Sequence, residues 1–137
     1  MARWSAKWRC AVAAGSGTLF LAGCLFAAAG AGAGGAIYFT ERGVESVVPV
    51  AVDRAAAATE KALGELKVRQ TKSVSEQRQD GEQREIDGAA GARDVSVTLK
   101  AQGKNSTRVQ VVAKTSAVTW EKDFARAILD KIVAYTR

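Results

Sequence analysis

The chain has 137 residues, with 20 Lys plus Arg against 14 Asp plus Glu, no His and two Cys. That length suits one modest domain rather than two. The missing His excludes Ser-His-Asp and Cys-His catalysis and the commonest metal ligand, and two cysteines are too few for a disulfide framework.

Residues 1–9 carry Arg3, Lys7 and Arg9 without an acid, and an uncharged run follows from Cys10 through Thr40. A basic start, a short apolar stretch and a small-residue zone describe a secretory signal peptide over residues 1–23. It closes on Leu21-Ala22-Gly23-Cys24, which resembles the bacterial lipobox. The resemblance implies diacylglycerol transfer to the Cys24 sulfur and cleavage before it. It also implies an anchor of about two or three acyl chains, which holds stably where one chain does not. Leu25 stands where Asp would mark retention in an inner membrane, so the resemblance points to an outer membrane, facing the periplasm. Without residues 1–23 the chain keeps 17 basic residues against 14 acidic, so half of the net +6 belongs to the signal. The same uncharged run is long enough to span a bilayer, which leaves an uncleaved N-terminal helix as the alternative.

Residues 24–36, Cys24 followed by LFAAAGAGAGGA, read as a lipidated Ala/Gly-rich tether. Gly30, Gly32 and Gly35 spell G-x-G-x-x-G, and Asp53 lies downstream where a ribose-binding acid would sit. That fingerprint needs a buried strand before it and a βαβ unit around it, so no nucleotide cofactor is expected. The tether is either a flexible linker or, through its small-residue spacing, a segment packed at the membrane.

Residues 37–137 read as the folded domain. Ile37 to Thr40 opens it, and Val44 to Val50 is a strand ending near Pro49. A helix capped by Asp53 follows, with Val52, Ala55, Ala56, Thr59, Leu63 and Leu66 on one stripe. Residues 67–78 form a polar, edge-like strand, Asp80-Gly81 a turn, and residues 82–88 a return strand through Ile86. Val95, Val97, Leu99 and Ala101 alternate with Ser96, Thr98 and Lys100, and Val109, Val111 and Ala113 alternate with Arg108, Gln110, Val112 and Lys114, around a hairpin loop at 102–106. A last helix spans about residues 119–135. Its predicted stripe is Trp120, Phe124, Ala127, Ile128, Lys131, Ile132 and Tyr135, with Trp120 and Phe124 as the large core groups. The order β-α-β-β-β-β-α makes a small two-layer α+β domain, an antiparallel sheet of about five strands with two helices on one face.

The lipobox, the Ala/Gly tract, the helix VDRAAAATEKALGELKV, the V-x-V-x-L and R-V-x-V strands and the closing F-x-x-x-I-L-D-K-I helix together resemble an uncharacterised family of short bacterial lipoproteins, a domain of unknown function. The resemblance implies fold and location but no activity. That family carries a Gly after the first helix, where this chain has Glu65-Leu66-Lys67.

The candidate chemistry is sparse. Glu121 with Asp123, and Glu82 with Glu85 and Asp87, read as solvated acids, and no Ser lies in a nucleophile motif. Lys67, Arg69, Lys72 and Arg78, with Arg84 nearby, form a basic cluster without aromatic residues, so nucleic acid is not the expected partner. The cluster guards a sheet edge, or it meets anionic headgroups or an acidic partner. The expectation is a non-enzymatic envelope lipoprotein with no cofactor or metal. It is held to the membrane through Cys24 and binds a protein or envelope component through a domain that is itself monomeric. The alternative is a membrane-surface or lipid-handling module that uses the tether and the basic face.

Overall fold

The structure, a computed structural model, describes residues 36–137. The signal peptide 1–23, the lipobox residues Leu21, Ala22, Gly23 and Cys24, and the tether up to residue 35 lie outside the described residues. Eight elements follow in chain order: β1 (Tyr38–Phe39), β2 (Val44–Val48), α1 (Val52–Glu65), β3 (Arg69–Arg78), β4 (Gly81–Ala90), β5 (Arg93–Ala101), β6 (Thr107–Lys114) and α2 (Lys122–Tyr135). The strands form one antiparallel sheet in the order β1-β2-β6-β5-β4-β3. The α+β class holds, and the strand beyond the expected five is the two-residue β1.

Alternation decides which face is covered. Val95, Val97 and Leu99 of β5, Val109 and Val111 of β6, and Val44 and Val48 of β2 are all buried on one face. α1 lies mainly over β4 and β5, α2 lies over β2 and β6, and the two helices pack on each other. Leu63, Ile128, Leu129 and Ile132 are buried between the layers. The alternate residues of the same strands are polar apart from Val47 and Val112, and no helix among the described residues covers them.

Three expectations need correction. Asp53 does not cap α1. The N-cap is Ala51, without a side-chain hydrogen bond, because the helix starts early enough to bury Val52. Asp53 sits in the first turn, where its carboxylate accepts from Arg84 at 3.0 Å. The last helix begins at Lys122, not Thr119. The Thr115 N–H donates to the Thr119 carbonyl, and the Glu121 N–H donates to the Ala113 carbonyl at 2.8 Å. The chain therefore folds back along β6, and Trp120 is extended, bridged to Lys114. The buried stripe of α2 is Ala125, Ile128, Leu129, Ile132 and Val133. Ala127 is exposed, and Phe124 and Tyr135 are partly buried at its flank.

α1 ends in a left-handed cap at an unusual residue. Lys67 has φ +56°, its N–H donates to the Gly64 carbonyl at 3.2 Å, and the Val68 N–H donates to the Leu63 carbonyl at 2.9 Å. This is the paired hydrogen-bonding of a Schellman motif, with buried Val68 closing the turn. A side chain in that conformation costs about 1 kcal/mol that glycine avoids. Lys67→Gly is expected to stabilise the domain by about that amount, raising the melting midpoint by about 4–8 °C in a thermal scan.

Candidate functional site

The uncovered face of the sheet carries the candidate site. Strand register aligns its side chains in rows. Glu45, Gln110, Thr98 and Glu85 lie in line across β2, β6, β5 and β4, and Val112, Ser96 and Asp87 form the next row. Over these rows lies an open depression of about 620 Å³, lined by Arg42, Glu85, Asp87, Ser96, Gln110 and Trp120 among others. The fold-back after β6 delivers Trp120 to this face, and the Arg42 guanidinium lies over its ring, 5.7 Å from the centroid. Such a stack holds an aromatic surface and a cation together at one end of the depression.

Charge on this face is uneven. Arg108 lies 3.9 Å from Glu45, and Arg78 pairs with Glu76 at 3.0 Å. Lys100 pairs with Asp80 at the β3–β4 turn, and that hydrogen bond, aided by a backbone one, holds the Asp80 carboxyl below its ordinary range. These groups are largely solvated, so the pairs fix geometry more than they add stability. Glu85 and Asp87, two positions apart on β4, take part in no ion pair among the described residues. Glu82 belongs to the opposite face, where it accepts from Ser75 at 3.0 Å and pairs with Arg84.

The structure divides the predicted basic cluster. Arg69, Lys72 and Arg78 are exposed on β3 and, by register, belong to the uncovered face at its rim, Lys72 standing opposite Asp87. Lys67 is apart from them in the α1 cap. Arg84 is turned to the helix side by Asp53. A register shift between Gln70 and Lys72 brings Thr71 to the wall of the depression. Sequence reasoning misses Arg42 and Trp120. Trp120 stands four residues before Phe124, a helical spacing that hides its extended conformation, and nothing local marks Arg42.

Chemically, the face offers carboxylate and amide acceptors, hydroxyl donors and one cation-stacked indole. Among the described residues, no three His, Cys, Asp or Glu side chains converge as metal ligands. No helix among them is long and apolar enough to cross a membrane. The arrangement suits reversible contact with a polar or peptide surface.

No curated protein matches the chain. Residues 7–133 match a family described as a protein of unknown function, a stretch that takes in both the L-A-G-C segment and nearly all of the domain. An uncharacterised domain family was the expectation from the layout of strands and helices, and by this match the chain belongs to the family DUF3568.

Proposed function

We propose that this protein is a lipid-anchored bacterial envelope protein, acylated at Cys24, that catalyses no reaction and binds a protein or envelope component through the uncovered face of its domain. The observation that supports binding is that face itself: a broad depression with Glu85 and Asp87, in no ion pair among the described residues, in its wall and the Arg42–Trp120 stack at its end. The anchor rests on the basic start and on L-A-G-C. A second reading, contact with the membrane surface, has its own support. Tyr38 and Phe39 are 41% and 54% exposed just after the tether, with Arg126 over the Phe39 ring at 5.6 Å.

The anchor and the face are separately testable. Cys24→Ala should leave a precursor-sized protein that takes up no labelled fatty acid, and a mature-sized acylated product would refute the anchor. A photo-crosslinking residue at Gln110, on the uncovered face, should give a discrete adduct in intact cells, whereas one at Ala127 on the outside of α2 should not. Adducts of equal yield from both positions would refute the face as the binding surface.

A further inference from the structure

The two edges of the sheet are treated very differently. One ends in β1, two residues long and too short to template a partner. The other ends in β3, ten residues with no proline and a register shift only near its start, between Gln70 and Lys72. From Lys72 to Arg78 the strand is regular and, among the described residues, paired on one side only. Long regular edges are what natural sheets ordinarily shorten, bulge or cover.

The hydrogen-bonding phase of this edge can be read from its turn. Arg78 and Gly81 are paired across the two-residue turn Gln79-Asp80, so they form a hydrogen-bonded pair, and Glu76, Val74 and Lys72 follow in the same phase. Ser73, Ser75 and Gln77 therefore aim their main-chain N–H and C=O groups outward, away from β4.

We infer that this edge pairs antiparallel with the same edge of a second copy of the chain, across a twofold axis at Val74. Hydrogen-bonding phase permits only registers that differ by two residues. In the Val74-centred one, Val74, the single apolar residue of β3 and its only half-buried one, meets its own mate. Ser73 and Ser75 exchange main-chain hydrogen bonds, and Lys72 faces Glu76 of the other copy on both sides of the axis. Moving one step toward the start of the strand sets Lys72 against Val74 and removes both ion pairs. Moving one step the other way sets Lys72 against Arg78. Only this register of the three joins opposite charges, and cross-strand charge pairs discriminate between registers in this way. The alternating charges of β3 thus select a partner strand rather than only repelling one, and the product is a continuous sheet through both copies.

The test uses the full chain in detergent with Cys10→Ser and Cys24→Ser, so that neither native thiol can cross-link. Sedimentation equilibrium should show a monomer–dimer equilibrium. Lys72→Glu and Glu76→Lys should each raise the dimer Kd about tenfold or more, and the double charge swap should restore it to within about threefold. Val74→Cys should form a disulfide-linked dimer under mild oxidation, because non-hydrogen-bonded facing pairs have the closest Cβ atoms, and Ser73→Cys should not. A monomer at every concentration, a dimer indifferent to Lys72→Glu, failure of the swap to restore it, or cross-linking at Ser73 instead of Val74 would each overturn the inference.

Discussion

Ile128→Ala is expected to destabilise the domain by about 2–5 kcal/mol, whereas Phe124→Ala should cost less than about 2 kcal/mol. Ile128 is fully buried where α2 meets the sheet, and removing its outer carbons leaves a cavity that neighbouring helix and strand backbones cannot close. Phe124, the larger side chain, is only partly buried. The Arg93 guanidinium lies 4.8 Å from its ring centroid, so one side of the ring faces a solvated cation. Urea titrations followed by circular dichroism measure both. A domain of this size commonly has about 5–15 kcal/mol in total, so the Ile128 variant should be partly unfolded well before the wild type. A larger loss at Phe124 than at Ile128 would mean that α2 is rotated about its axis from the position described.

Gly43→Ala is expected to cost about 3 kcal/mol or more, although it adds one methyl group just outside a strand. A Cβ on Gly43 would lie 2.1 Å from the Val111 carbonyl oxygen, and that oxygen is main chain, fixed by β5 and β6. The glycine cannot swing away. Its N–H donates to Thr40 Oγ1 at 3.0 Å and its carbonyl accepts from the Thr40 N–H at 2.9 Å, closing the turn between β1 and β2. The substitution must therefore push β2 off β6. The melting midpoint should fall by more than about 10 °C. Ala in place of exposed Gly64 on α1, where no atom lies within 4 Å of the added methyl, is the matched control and should not destabilise. A Gly43→Ala protein that melts with the wild type would exclude the close approach of β2 to β6.

How much of this was legible in the sequence follows from the range of each interaction. β5 and β6 were legible because alternation, strict in β5 and broken only by Val112 in β6, puts Val95, Val97 and Leu99 on one side and Ser96, Thr98 and Lys100 on the other, a signal complete within each strand. The edge position of β3 was legible for the same reason, since RQTKSVSEQR has almost nothing to bury. α2 was legible as a helix but not in its phase. Trp120 and Phe124 fit a helical stripe, and only the hydrogen bonds of the Thr115–Thr119 loop and of Glu121 to Ala113 exclude that stripe. The left-handed Lys67 was hidden because the usual glycine is absent from the cap. Of the candidate site, the charges on β3 and β4 could be named in advance. Their grouping could not, because it depends on register across four strands and on a tryptophan delivered by a loop.

The pairing of β2 with β6 also sets the order in which this molecule can assemble. β3 to β6 form a meander of successive hairpins, each closing over a short loop. β2 instead joins residues Val44–Val48 to Thr107–Val111, a closure over about 60 residues that a nascent chain cannot make until almost all of it has been synthesised. Val44 and Val48 thus emerge early and wait uncovered, while the strand that will shelter them is among the last segments produced. β2 is therefore secured only after β6 exists, and this part of the fold stays open until the C-terminal quarter of the chain arrives.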